Sequence, residues 1–219
     1  MDITEIKTLL ADSDSQQRLK GIVALKAYDV DVAGPLLLSK QNDSAFLVRS
    51  FVAMGLGRKR SNAGFEALLT MMQGDSDANV QAEASNSLAM YGAPAIPHLV
   101  QTFQDNSHWL VRRSILAAMI DLHSPAHMLE ICMIAIQDKD LTVINAGIDH
   151  LSTLASTDQA EAALAAILPF KTAKSWYTRR QVAIALKRFE HPAAQTALLE
   201  LRQDPNHRVV AATLENLVP

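Results

Sequence analysis

Apolar and small residues return along this chain at helical spacing, in blocks about one repeat apart. The run Val48 to Leu56 serves as a template. It aligns without gaps on Val80 to Leu88, Val111 to Met119, Val143 to Leu151 and Thr178 to Leu186, with weaker copies from Gln17 to Leu25 and Val209 to Leu217. The steps between block starts are 31, 32, 31, 32, 35 and 31 residues. Within a block, apolar or small residues occupy offsets zero, four, five and eight, as Val111, Ile115, Leu116 and Met119 do. That spacing lines one face of a helix. Five residues ahead of the anchors stand Asp12, Asp43, Asp75, Asn106, Asp138, Ala173 and Asp204, in turns such as Gly74-Asp75-Ser76-Asp77. Asp and Ser in such turns can accept hydrogen bonds from the free N–H groups of a first helical turn. A further apolar helical run precedes each turn, as in 65–72, 96–103, 128–136 and 160–168.

The pattern therefore predicts helix, Asp turn, helix, seven times over, with no strand. Repeats are expected at 1–29, 30–60, 61–92, 93–124, 125–156, 157–191 and 192–219. A period in this range marks a solenoid, in which each unit buries its apolar face only against its neighbours. The expected fold is all-α, one right-handed α-solenoid domain over 1–219, with first helices on the convex side and second helices on the concave side. Arg18, Arg49, Arg112 and Arg179 share the slot after the anchor, with Gln81, Ile144 and Val210 in the others. A guanidinium fork there can reach the Asp turn of its own or an adjacent repeat, and these arginines read as structural.

Composition narrows the partners. Lys and Arg number 20 against 23 Asp and Glu, a net charge of -3, so no bulk attraction to nucleic acid or anionic membrane is expected. Cys132 is the lone cysteine, which excludes an internal disulfide and fits a reducing compartment. No apolar stretch approaches the ~18 residues of a membrane span. The acidic start, Met1-Asp2-Ile3-Thr4-Glu5, does not have the form of a secretory signal. The expected location is cytoplasmic.

Asp, four residues, Val-Arg, then Ala and Leu at helical spacing resembles the HEAT repeat. An aromatic stands two residues before three anchors, at Phe46, Trp109 and Trp176, as in Asn106-Ser107-His108-Trp109-Leu110-Val111-Arg112-Arg113. In this the chain is similar to the phycobilisome-lyase-like HEAT subgroup, and to its cyanobacterial members, over essentially its whole length. The resemblance implies an α-solenoid and two kinds of activity. One is attachment or removal of linear tetrapyrroles on phycobiliproteins. The other is non-enzymatic adaptor work, with one branch associated with iron-sulfur cluster assembly. The Asn-His-Cys motif of isomerising bilin lyases does not appear here, Cys132 being preceded by Ile131.

Candidate chemistry sits on the second helices. Arg113 and Arg180 occupy offset two, two repeats apart, with Asn145 in the same slot between them and Asp149 one turn on. Such a row can hold a carboxylate-bearing ligand or an acidic protein segment; equally it can be a solvated face balanced by Asp149. The 35-residue step places extra residues in 169–177, a basic and aromatic stretch that includes Trp176 and Tyr177. Insertions in solenoids map to loops on one face, often the binding face. Its single cluster of Lys171, Lys174, Arg179, Arg180, Lys187 and Arg188 on a net negative chain argues against nucleic acid. Arg58-Lys59-Arg60 reads as a complement to a helix C-terminus. His123, His127 and Cys132 lack zinc-site spacing, and Cys132 reads as a small core residue.

No catalytic or metal-ligating set stands out. The leading function is a non-enzymatic protein-binding scaffold without a cofactor, using Leu19, Val23, Met54, Asn86 and Ala117 beside Trp109, Arg113, Asn145, Asp149, Trp176, Tyr177, Arg180 and Ile184. The partner expected is another protein, such as a phycobiliprotein or an iron-sulfur assembly component. The alternative is a bilin lyase or chaperone, with phycocyanobilin propionates on Arg113 and Arg180 and its rings on Trp109, Trp176 or Tyr177. A nucleic-acid-binding array ranks third. The apolar last helix, with Val209, Val210, Ala211, Leu214, Leu217 and Val218, is expected either to self-associate or dock, or to cover Val210 and Leu214 against the preceding helix.

Overall fold

The computed structural model describes residues 1–214. Among them lie fourteen α-helices in seven pairs and no strand. The first helices are α1 (Ile3–Leu10), α3 (Val30–Leu38), α5 (Asn62–Gly74), α7 (Ile96–Asp105), α9 (Pro125–Ala135), α11 (Ala160–Ile167) and α13 (Pro192–Leu201). The second helices are α2 (Ser15–Ala24), α4 (Phe46–Arg58), α6 (Ala78–Ala89), α8 (Trp109–Ile120), α10 (Leu141–Ser152), α12 (Trp176–Leu186) and α14 (His207–Leu214). Every second helix opens two residues before its anchor, so Phe46, Trp109 and Trp176 are first residues of helices. The chain divides into two compact units, Met1–Leu122 with four helix pairs and His123–Pro219 with three.

The Asp turn works through two residues. The Asp or Asn five before the anchor accepts the N–H two residues on: Asp12 from Asp14, Asp43 from Ala45, Asp75 from Asp77, Asn106 from His108, Asp138 from Asp140 and Asp204 from Asn206, at 2.8 to 3.0 Å. The residue so positioned then caps the second helix. Asp14, Asp77 and Asp140 accept the N–H groups of Gln16, Asn79 and Thr142. Asx turn and N-cap thus follow each other, satisfying donors that a helix start leaves open. In repeat six, Ala173 cannot make the turn, and Ser175 caps α12 through Thr178 N–H.

The anchor arginines meet two turns at once. Arg49 Nη1 donates to Asp43 O of its own turn at 2.8 Å, while Nε and Nη2 grip the Asp75 carboxylate of the next turn at 2.6 and 2.8 Å. Arg18 does the same with Asp12 O, Ser13 O and Asp43, and Arg179 with Ala173 O, Lys174 O and Asp204. Where the slot holds Gln81, the next turn holds Asn106: Gln81 Nε2 donates to Asp75 O, and Asn106 Nδ2 donates to Gln81 Oε1 at 2.8 Å. Where it holds Ile144, the next turn holds Ala173. Each rung is therefore matched in kind, a charged fork to a carboxylate and an amide to an amide. Burial works against the charge on Asp43 and Asp75, yet the Arg18 and Arg49 guanidiniums and the turn N–H groups outweigh it. Both carboxyls lie below their ordinary value. The Arg179 fork holds Asp204 low in the same way, against the effect of burial.

Apolar anchors form the core. Val48, Val80, Val111, Val143 and Val209 are buried, as are Leu56, Leu88, Leu151 and Leu186 at offset eight. In the first unit, α4 and α6 pack side by side, and so do α6 and α8. A Cβ on Gly57 would stand 2.8 Å from Ser87 Cβ and 3.0 Å from its Cα, so α4 and α6 approach to a distance only glycine allows. In the second unit a Cβ on Gly147 would meet Ala135 Cβ at 2.8 Å, which marks the close crossing of α9 and α10. Thr178 fills a valine slot at 2% exposure, and its Oγ1 has no partner among the described residues. At the last helix Val209 is buried and Val210 half-buried, while Leu214 is 40% exposed; α13 packs on α14, so cover is partial. Leu217 and Val218 lie outside the described residues.

Candidate functional site

In the first unit the outward row of the second helices exposes Val23, Asn86, Arg113 and Ala117, with Leu19 and Met54 half-exposed. Trp109, at the first turn of α8, is 42% exposed and stacks against His108, ring centroids 6.1 Å apart. Arg112, its ladder neighbour, is turned inward instead, with Nε on Asn106 O at 2.7 Å and its guanidinium over the Phe103 ring. Adjacent arginines on one helix are thus divided between stack and surface.

In the second unit Asp149 is exposed on α10 and Tyr177 on α12, with Arg180 and Ile184 half-exposed. Trp176 meets Tyr177 edge-on at 5.8 Å, and its other neighbour is Arg208, whose guanidinium lies 5.0 Å from the ring centroid. That cation occupies the indole and ties α12 to α14. Asn145 departs from expectation. It is 7% exposed, its Nδ2 donates to Leu141 O one turn back at 2.6 Å, and its Oδ1 is buried without a partner among the described residues. Offset two lies where neighbouring second helices pack, as Ala82 shows in α6 at 5% exposure. A long arginine reaches solvent from that slot and a short asparagine does not. Asn145 is therefore no part of an exposed row.

The basic stretch around the insertion is largely committed. A 3-10 segment at Leu168–Thr172 carries Lys171 to Glu200 of α13 at 2.5 Å, and Arg179 is spent on Asp204. Arg180 and Lys187 are engaged as well. Cys132 is buried in α9, and burial pushes its thiol pKa up, so it is a core residue rather than a nucleophile. His127 is exposed, with Nδ1 2.7 Å from Ser124 Oγ. Among the described residues no group of three or more His, Cys, Asp or Glu side chains is placed to hold a metal ion.

A cavity of about 450 Å³ opens between α2, α3 and α4 of the first unit. Ile22, Leu25 and Leu37 form its floor, Val23, Phe51 and Met54 its walls, and Lys26, Arg58 and Lys59 its rim. Leu37 fills the space a side chain at 55 would take, since a Cβ on Gly55 would meet its Cδ2 at 2.7 Å. A second hollow of about 500 Å³ runs on along α2 to Met1, Leu19 and Lys20, sharing Val23 and Phe51 with the first. Together they form one track. Sequence reasoning placed Leu19, Val23 and Met54 on this face but missed the rim. Little periodic signal marked it: Lys26 and Arg58 stand 32 residues apart, one off the 31-residue step between their blocks. The helix-terminus reading of 58–60 holds for two of the three, but on neighbouring elements: Lys59 Nζ reaches Lys26 O at 3.1 Å and Arg60 Nη1 reaches Met90 O at 2.9 Å. Arg58 is exposed on the rim.

Residues 34–120 match the family model for HEAT repeats. No curated protein matches the chain. Among solved structures, the X-ray structure of YibA from E. coli superposes with a TM-score of 0.67 at 18% identity, covering 100% of this chain and 84% of that one. Human deoxyhypusine hydroxylase in complex with glycerol superposes with a TM-score of 0.49 at 15% identity, covering 98% of this chain and 94% of that one. No helix among the described residues is long and apolar enough to cross a membrane. The fold is all-α, an α-solenoid built from HEAT-like helix pairs.

Proposed function

We propose that this chain is a non-enzymatic protein-binding scaffold. The observation that carries the reading is the apolar track between α2 and α4, where Val23 and Met54 remain accessible although the fold buries Leu25, Val48 and Leu56 beside them. Accessible apolar surface in a groove of this size, bordered by charge, is the form of a protein-recognition site. Arg113 with Trp109 on α8, and Asp149, Tyr177, Arg180 and Ile184 on α10 and α12, supply further contacts of the same service. The scaffold acts on a cofactor-bearing partner, a phycobiliprotein or an iron-sulfur assembly component, as the likeness of the repeats to the phycobilisome-lyase-like subgroup suggests.

The test is affinity capture from the source cells with three proteins: the native chain, Met54→Asp, and Arg113→Glu with Arg180→Glu. Circular dichroism first establishes that all three are folded. A partner recovered in stoichiometric amount by the native chain and lost from either variant supports the scaffold. Equal recovery by all three refutes these faces. Titration with phycocyanobilin separates the lyase alternative: a shifted visible spectrum on mixing, abolished by Arg113→Glu with Arg180→Glu, would replace the scaffold with a bilin-binding role.

A further inference from the structure

We infer that the track along α2 and α4 receives an acidic amphipathic helix from the partner; this rests on the scaffold reading and names the chemistry of what is bound. Its length comes first. The ten residues of α2 rise about 15 Å, at ~1.5 Å per residue, and the two hollows extend along them. That accommodates about three helical turns, so a docked helix would insert apolar residues at i, i+3 or i+4, and i+7. The floor is fully apolar, through Ile22, Leu25 and Leu37, and Phe51 is shared by both hollows at their junction. An extended strand would find no sheet edge to pair with here, since its neighbours are helices whose backbone groups are already bonded.

Charge sets the sign of the occupant. Lys26, Arg58 and Lys59 border one hollow and Lys20 the other. No lining residue of either is acidic. Among the described residues neither Lys26 nor Arg58 has a salt bridge, whereas the ladder arginines nearby are all committed to turns. Lys20 leans on Gln17 Oε1 at 3.3 Å and Lys59 on a backbone carbonyl, both neutral acceptors. One carboxylate acts on the rim: Glu83 of α6 feels Arg58, but its own burial pushes its pKa up, against Ser87 and Arg58. Glu83 lines neither hollow, and set against four cations it leaves the rim net positive. Four cations around an apolar floor, on a chain of net charge -3, make a local site for glutamate or aspartate flanking apolar anchors.

The experiment is peptide display against the full chain, using a random library of 16-residue helical peptides. Selected peptides are then measured by fluorescence anisotropy at about 50 and 300 mM salt. Three folded proteins are compared: native, the rim variant Lys26→Glu with Arg58→Glu, and the wall variant Val23→Asp. The expected result is enrichment of net-acidic peptides with apolar residues at i, i+3 or i+4, and i+7. Their affinity should fall at least tenfold in each variant, and should weaken with salt in the native chain but much less in the rim variant. Enriched peptides that are basic or uncharged, or that bind both variants as tightly as the native chain, overturn the inference. If such peptides instead lose binding with Arg113→Glu, the scaffold reading stands and the groove assignment falls. If no peptide is enriched on any part of the chain, both fall. Concentration-dependent self-association that the wall variant abolishes would assign the track to a second copy and overturn the acidic partner.

Discussion

Exchanging one rung of the ladder for the other tests what holds successive turns together. Arg49→Gln with Asp75→Asn would convert the charged rung into the amide pair that Gln81 and Asn106 already form one repeat further on. The native fork is bidentate, at 2.6 and 2.8 Å, and its side chains are only 13% and 8% exposed. Asp75→Asn alone removes the counter-charge from a guanidinium that can reach little water. Arg49→Gln alone leaves a carboxylate held by the Asp77 N–H and no cation. A fully buried pair broken on one side costs ~3–5 kcal/mol; with residual exposure, about 2–3 kcal/mol is expected for each single change. The double variant keeps both turn contacts in neutral form. The introduced glutamine would reach Asp43 O as Gln81 reaches Asp75 O at 2.7 Å, and the introduced asparagine would donate back as Asn106 does. The cost of the double change should be about 1 kcal/mol, a coupling of about 3–5 kcal/mol in the double-mutant cycle. Urea unfolding of the four proteins, followed by circular dichroism at 222 nm, gives the four free energies. A coupling below about 0.5 kcal/mol, the scatter of independent sites, would refute the matching of rungs.

Other outcomes follow from the same packing. Leu88→Ala, at a position of 0% exposure, should destabilise by ~2–5 kcal/mol through lost burial and the cavity left behind; a loss under 1 kcal/mol would show the register to be wrong. Thr178→Val removes an unpartnered buried hydroxyl from a valine slot and should stabilise by about 1 kcal/mol in urea unfolding; destabilisation would mean the hydroxyl has a partner. Gly57→Val, forced against the Ser87 backbone, should lower the melting temperature by several degrees, while Gly74→Ala, with nothing within 4 Å, should leave it nearly unchanged. The carboxyls of Asp43, Asp75 and Asp204 are held below the ordinary value, so each binds a proton less readily folded than unfolded. Their contribution is complete above the unfolded pKa of about 3.9 and is lost as pH falls through the lower folded values. The melting temperature should therefore drop below about pH 4, and less steeply in the Arg49→Gln, Asp75→Asn double variant; an equal slope in both would exclude that rung as a source.

The repeat period made the fold legible, because a solenoid sequence states its register seven times. The valine anchors and offset-eight leucines are buried where the pattern put them, and the second helices all begin at the same offset. The structural role of the arginines was also legible, though not whether each met its own turn or the next. Both are true at once, since a fork with five N–H donors spans two turns. Asn145 was misplaced because offset two is exposed only to a side chain long enough to leave the helix contact. The groove rim was missed because Lys26 and Lys59 fall just past the ends of α2 and α4, outside the aligned block, where no periodic neighbour draws the eye. Which partner occupies the face is written in no repeat, since what a surface binds depends on residues that are free to vary between copies.

The matched rungs also bear on how such a chain can lengthen or shorten. Removing 30–60 would bring Arg18 against Asp75, a fork still meeting a carboxylate, and the seam would close as before. Removing 61–92 would set Arg49 against Asn106, a cation facing an amide, and the seam would carry an unanswered charge. Neighbouring modules are thus keyed by chemistry as well as by shape. The gain, loss or transplantation of a repeat is restricted to junctions whose two halves share a key, and the amide pair between the third and fourth repeats acts as a lock that a charged module cannot enter without bringing its own counterpart.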